Sequence, residues 1–198
     1  ACVLEGNDDE VLIVGHSNGA SIAVSAIARA LTADPLLARR GPAVAFLTLG
    51  ESIMLDSLLP QAGRLRDELA RVAGDNGLTW TDITAPRDGA CFARTDPLSA
   101  SGLPAAIYSD GPKPRLLSVS MTDLFSAETW KSTLQRRWLR IHFQYLMAYE
   151  KPTPFDYFVV TAGPQTLQSR FATFPSRQPF AKFQLLSRLP AGLKRKDN

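Results

Sequence analysis

The sequence predicts an α/β fold, a mostly parallel sheet with flanking helices, and two observations carry that expectation. Short aliphatic runs alternate with longer stretches whose apolar residues recur at helical spacing, the order that builds βαβ units. The first two short runs are apolar without alternation, as in strands covered on both faces, and the third alternates. Glu10 to Val14 is such a run, bounded by Asn7-Asp8-Asp9, and Asn18 to Leu31 then carries Ala, Ile and Val at helical spacing. Past Asp34-Pro35 and Gly41-Pro42, Ala43 to Leu49 reads as a second buried strand that ends at Gly50-Glu51-Ser52. Leu58 to Ala73 predicts a helix with its charges on one face, stopped at Gly74 and followed by the turn Asp75-Asn76-Gly77. Leu78 to Thr84 predicts a third strand, closed by Ala85-Pro86. Connections of this kind are right-handed.

Arg87 to Pro114 is rich in Pro, Gly, Ser and Asp and reads as a long functional loop. Arg115 to Met121 predicts a fourth strand. Ser126 to Tyr149 predicts the longest helix, with an apolar face through Trp130, Leu134, Trp138, Ile141 and Tyr145 and a stop at Pro152 and Pro154. Phe155 to Thr161 is a last strand candidate, turned out by Ala162-Gly163-Pro164, and Gln165 to Asn198 shows no period. With no internal repeat and no linker, residues 1–198 read as a single domain. At 198 residues, 45% of them hydrophobic, the chain is long enough to bury a substantial core.

Composition excludes several classes. No run of eighteen apolar residues suggests a spanning helix, and the N-terminus has no signal-peptide pattern. Cys2 and Cys91 form no metal-type spacing and read as free thiols, which favours a reducing compartment such as the cytosol. A net charge of +3 is too modest to point to nucleic acid. The basic groups Arg136-Arg137 with Arg140, and Lys194-Arg195-Lys196, read as a solvated helix face and a frayed end, with contact to an anionic membrane surface as the lesser alternative.

The most specific feature is Gly15-His16-Ser17-Asn18-Gly19, a G-x-S-x-G motif with a strand-like run before it and a helix-like run after it. A serine hydroxyl becomes a useful nucleophile on a sharp strand-to-helix turn, where it is open to substrate and to a base. Both flanking glycines are expected to let the helix approach the strand while Ser17 is held in a strained conformation. The Asn18 N–H then lies at a helix N-terminus, placed to face a developing oxyanion. A tight βα turn with Ser17 as a helix cap is the bland alternative. His16 would point away from Ser17 and serve packing or a local hydrogen bond.

The chain has two histidines, so a base for Ser17 would be His142 by elimination, although a core-facing histidine bonded to a backbone carbonyl is the competing reading. The candidate acids are Asp82, Asp88, Asp96 and Asp123. Asp88 is favoured because it lies just past the carboxyl end of the third strand, where ligand-facing residues of open α/β sheets collect. Asp96 and Asp123 are the fallbacks and otherwise read as loop and capping residues. No Cys, His and carboxylate cluster suggests a metal, and no cofactor is implied. Phe92, Leu98, Leu103 and Trp138 could line an acyl pocket or pack in the core.

With these residues in view, the chain resembles the α/β-hydrolase superfamily, in particular its lipase-like and esterase-like members. The elbow carries the resemblance. Leu47-Thr48-Leu49-Gly50-Glu51-Ser52 is similar to the stretch after the strand that follows the elbow, with Glu51 where a serine is usual. Trp80-Thr81-Asp82 through Ala85-Pro86-Arg87-Asp88 looks like the passage that carries the acid, and His142-Phe143-Gln144-Tyr145 looks like the passage that carries the histidine. The resemblance implies a partial α/β-hydrolase fold and the chain order Ser17, Asp88, His142 of a catalytic triad acting on a small-molecule ester or lipid. Only sixteen residues precede Ser17, where such a fold normally spends four strands and supplies a second oxyanion donor, so the chain looks like the C-terminal part of a longer protein. An acyltransferase using the same serine, or a non-catalytic binding domain of this fold, are the alternative readings.

Overall fold

The computed structural model describes residues 8–104, 107 and 113–177. Four strands, β1 (Glu10–His16), β2 (Ala43–Leu49), β3 (Leu78–Thr84) and β4 (Arg115–Ser118), form one sheet in the order β1-β2-β3-β4, with every neighbouring pair parallel. The α/β architecture expected from the alternating pattern is therefore present. Sequential strands are also neighbours in space, so each crossover steps one strand further along the sheet.

Side chains of the central strands alternate between two cores. Val44, Phe46, Leu78 and Trp80 face helices α1 (Gly19–Ala33) and α3 (Gly63–Gly74). In α1, Ala20, Ala23, Val24, Ile27, Ala28 and Leu31 are buried, the three- and four-residue spacing that gives a helix one apolar stripe. Ala45, Leu47, Leu49, Ile83 and Leu117 face the opposite way, against a layer built from the C-terminal half of the chain. The short helices α2 (Ile53–Ser57) and α4 (Pro97–Ala100) fill the connections after β2 and β3. No described helix is long and apolar enough to cross a membrane.

The C-terminal layer departs from expectation. The predicted helix over Ser126 to Tyr149 is broken into a short turn at Ala127–Thr129 capped by the Ser126 hydroxyl, a wide turn at Trp130–Leu134, helix α5 (Trp138–Phe143) and a tight turn at Gln144–Leu146. Arg137, with φ −124° and ψ 73°, is the break, and it turns Trp138 out to solvent while Trp130, Leu134, Ile141 and Tyr145 stay buried. The strand predicted at Phe155 to Thr161 is helix α6 (Tyr157–Ala162). Asp156 caps it by accepting from the Phe158 and Val159 N–H groups, a local start signal that outweighs the β-branched and aromatic composition. Helix α7 (Leu167–Arg170) returns to the sheet, where the Glu10 carboxylate accepts from the Leu167 N–H at 2.9 Å.

Of the two elbow glycines, one is structurally required. A Cβ on Gly15 would lie 2.7 Å from the Ala20 Cα, a backbone atom that cannot move without displacing α1. One on Gly19 would meet nothing within 4 Å, so the expectation that both glycines serve close packing is corrected. Gly15→Ala is expected to lower the unfolding free energy by roughly 1–3 kcal/mol through overpacking. Gly19→Ala is expected to be neutral or stabilising by up to ~1 kcal/mol, since alanine loses less conformational entropy in a helix. Urea unfolding of the two variants checks both, and equal losses would contradict this account.

Candidate functional site

The site is assembled at the carboxyl ends of the strands, where the ladder runs one residue beyond each pairing. The Ser17 N–H donates to the Leu49 carbonyl (3.1 Å) and the Gly50 N–H to the Ile83 carbonyl (2.9 Å). The elbow, the β2 end and the β3 end are thereby held side by side. Ser17 has φ 55°, the left-handed region, at a cost of roughly 1–3 kcal/mol for a side chain other than glycine. The strain expected from the motif is thus present. Asn18 occupies the cap position of α1 in helical conformation, and its side-chain oxygen accepts from the Ser52 hydroxyl. Its N–H makes no hydrogen bond to any described residue, which leaves it open at the positive end of a fifteen-residue helix.

Of the four candidate acids, Asp88 is the one that meets His142. The His142 Nδ1–H donates to Asp88 Oδ2 at 2.8 Å, with both side chains buried. Asp88 sits four residues beyond the end of β3, with its N–H donating to the Ala85 carbonyl and its Oδ1 accepting from the Ala90 N–H. Burial pushes the Asp88 carboxyl up, and the His142 hydrogen bond, the Ala90 N–H, the His142 charge and the Cys91 thiol together outweigh it, so its pKa lies below the ordinary value. Asp96 instead caps α4, accepting from the Leu98 N–H, and Asp123 accepts from the Thr122 hydroxyl. His142 is buried on α5 with its Nδ1 committed to Asp88, so its Nε2 is the nitrogen available to a hydroxyl. Among the described residues no hydrogen bond joins Nε2 to Ser17 Oγ.

Three residues whose roles the sequence did not disclose hold this pair. The His16 Nε2–H donates to the His142 carbonyl (2.8 Å), and the two imidazole rings lie 4.6 Å apart. The hydrogen bond expected for His16 is therefore long-range rather than local, reaching across 126 positions of the chain. Tyr145 is buried, its hydroxyl accepting from the Ala85 N–H at 2.8 Å. Gly50 has φ +52°, and a Cβ there would lie 2.5 Å from Tyr145 Cε2 and 3.1 Å from Asp88 Oδ2. The sequence signal for these contacts was slight: a glycine before a polar pair and a tyrosine three residues past a histidine. The residues suggested for an acyl pocket are not brought together as one wall. Leu98 lies in the α1–α3 core with Leu103 packed on it, while Trp138 is exposed.

Two further carboxyl groups are buried nearby, one just past the end of β2 and one in β3. Glu51 and Asp82 are both fully buried; Glu51 Oε2 accepts from the Ile53 N–H at 2.6 Å and Asp82 Oδ1 from the Thr48 hydroxyl at 2.7 Å. Glu51 Oε1 and Asp82 Oδ2 find no partner among the described residues. Burial raises both pKa values, and the Asp82 charge adds to the rise at Glu51; Asp82 is pushed up to about 7. Cys91 is a free thiol packed beside Tyr145 and raised by burial, whereas Cys2 and the basic run 194–196 lie outside the described residues. No group of three or more His, Cys, Asp or Glu among the described residues could hold a metal ion.

Compared with models of known protein families, with curated proteins and with solved structures, the chain gives no match in any of the three.

The buried pair sets a pH dependence whose sign is fixed by the raised pKa. Between the unfolded value of 3.8 and the folded value of about 7, the folded state holds more protons at Asp82 than the unfolded chain does. Stability from this group is therefore full at low pH, falls as pH rises through that window, and is flat above it. Asp82→Asn keeps an acceptor for the Thr48 hydroxyl and has no proton to lose. The difference in unfolding free energy between wild type and Asp82→Asn is expected to shift in favour of the variant by a few kcal/mol across the window, measured by denaturant unfolding at several pH values. Parallel pH profiles would contradict the raised pKa.

Proposed function

We propose that the protein is a serine hydrolase of carboxylic esters, related to the α/β-hydrolases as its motifs suggest. The observation that carries this reading is the buried 2.8 Å bond from His142 Nδ1 to Asp88, formed at the same sheet edge as a serine held at φ 55°. Capping of α1 would explain neither, since Ser17 lies one residue before the cap and its hydroxyl makes no hydrogen bond to a described residue.

In the proposed reaction the Ser17 hydroxyl attacks the acyl carbonyl while His142 Nε2 takes its proton. Asp88 keeps the proton of Nδ1 in place, which fixes the tautomer that leaves Nε2 basic, and its charge stabilises the imidazolium that forms. The Asn18 N–H, at the N-terminus of α1, donates to the oxyanion of the tetrahedral intermediate. Collapse of that intermediate expels the alkoxide, which takes the proton from His142 and leaves as the alcohol. Water, deprotonated by His142, then attacks the acyl-serine and returns the carboxylic acid and free Ser17. None of these steps requires a cofactor.

A fluorophosphonate probe is expected to label Ser17, located by mass spectrometry, and to label neither Ser17→Ala nor His142→Ala. Asp88→Asn, which keeps the shape but favours the wrong tautomer, is expected to lower kcat for a short-chain ester by about 10³–10⁴-fold. Absence of labelling in folded wild-type protein would overturn the reading in favour of a binding domain.

A further inference from the structure

Helix α5 turns apolar residues outward. Ile141 and His142 are buried, whereas Leu139 and Phe143, neighbours one turn apart, lie on the opposite side with Trp138 before them, and all three are exposed. Met147, just past the tight turn Gln144–Leu146, is exposed as well. Four large apolar side chains therefore meet solvent within positions 138–147, where the outer side of a helix ordinarily carries polar residues. The patch reaches the elbow, since the Phe143 ring lies 5.4 Å from the ring of His16.

Cations are interleaved with these residues. Lys131, Arg136, Arg137 and Arg140 are exposed, and none of them makes an ion pair or a side-chain hydrogen bond to a described residue. No Asp or Glu occurs between Glu128 and Glu150, so the segment does not offset their charge. In the run Arg136-Arg137-Trp138-Leu139-Arg140, cationic and apolar groups follow one another directly, and a partner must offer anionic acceptors and apolar contact at the same depth.

We propose that this surface docks the protein on an anionic phospholipid membrane. At the boundary of headgroups and acyl chains, tryptophan sits among the headgroups, leucine and phenylalanine enter the acyl layer, and arginine meets the negative surface charge. A second copy of the chain fits less well, because two-fold pairing of this face sets like charges against like. An acidic protein supplies the charge but must match the protruding side chains with pockets, whereas a fluid lipid surface needs none. Docking is read without turnover, so its failure and the failure of the ester-hydrolase reading are separate results.

The test is co-sedimentation and tryptophan fluorescence of the full chain with vesicles of phosphatidylcholine containing about one-third phosphatidylserine, set beside vesicles of phosphatidylcholine alone. The anionic vesicles are expected to bind at least about tenfold more tightly, each arginine at the surface contributing about fivefold. Arg136→Gln, Arg137→Gln and Arg140→Gln combined are expected to weaken binding by about a hundredfold, and Arg29→Gln, exposed on α1, to leave it unchanged. Trp138 is 56% exposed against 2% for Trp80 and 9% for Trp130, so its emission is the one expected to move to shorter wavelength on docking, and Trp138→Phe is expected to abolish the shift. Circular dichroism confirms folding, and should the triple variant unfold, Arg137→Gln alone is expected to weaken binding about fivefold. No binding to the anionic vesicles, equal binding to both kinds, arginine variants that bind as Arg29→Gln does, or a shift that persists in Trp138→Phe would overturn the proposal. Poly-glutamate bound with the same arginine dependence while vesicles are not would assign the surface to an acidic protein instead. A dimer in solution that Trp138→Ser dissociates, with no vesicle binding, would assign it to a second copy, and either result overturns the membrane.

Discussion

Position 50 has no side chain, and the union of the two halves of the site depends on that absence. The residue follows β2 at φ +52°, and the space its Cβ would take is filled by the ring edge of Tyr145 and by Asp88 Oδ2. Because the ring can lie against the backbone there, the Tyr145 hydroxyl reaches the Ala85 N–H at the end of β3. His142, three residues earlier on the same helical face, is then delivered to Asp88. One close approach thus connects the ends of β2 and β3 with the C-terminal layer. A methyl group at position 50 would have to displace either the aromatic ring or the carboxylate, and both are buried.

Three carboxyl groups in one small region are pushed in opposite directions by their surroundings. Asp88 is buried, but two protein N–H donors besides the imidazole charge favour its ionised form. Glu51 and Asp82 each have an unpartnered oxygen among the described residues, and burial favours the protonated form of both, with the Asp82 charge adding to the rise at Glu51. The division has a chemical consequence for the proposed reaction. Glu51 precedes Ser52, whose hydroxyl bonds the Asn18 side chain, so a charge on Glu51 would sit near the place where an oxyanion develops. Held neutral, it offers no such opposition, while Asp88 keeps the charge that an imidazolium needs.

Much of the sheet was legible because parallel strands covered on both faces favour continuous apolar runs, which Val11 to Val14 and Ala43 to Leu49 provide, while Leu78 to Thr84 was legible from its alternation. Ser17 and Asp88 were legible for a related reason: both fall just past a strand end, where position in sequence alone determines position at the sheet edge. His142 was reached by elimination, from a helix pattern that proved to be broken. The break could not be read, because Gln135-Arg136-Arg137 contains neither glycine nor proline to signal it. The same limit applies to Tyr157 to Ala162, where composition favoured a strand and the capping of two N–H groups by Asp156 decided otherwise. Gly50 was visible as a glycine but not as a necessity, since the ring that fills its space is ninety-five residues away.

His16 shows how an alternation rule can be right about direction and silent about consequence. Leu12, Val14 and His16 lie on one face of β1, and the first two pack against the C-terminal core. Continuing that face turns His16 away from Ser17 and brings it onto the segment that carries His142. Its Nε2–H is used by the His142 carbonyl, and burial, the largest influence, lowers its pKa and keeps the ring neutral. Neutrality matters at this distance. A second imidazolium 4.6 Å from the His142 ring would oppose the positive charge that the proposed reaction places on His142. The residue between Gly15 and Ser17 therefore links the elbow to His142 through one hydrogen bond, and does so without adding a charge beside it.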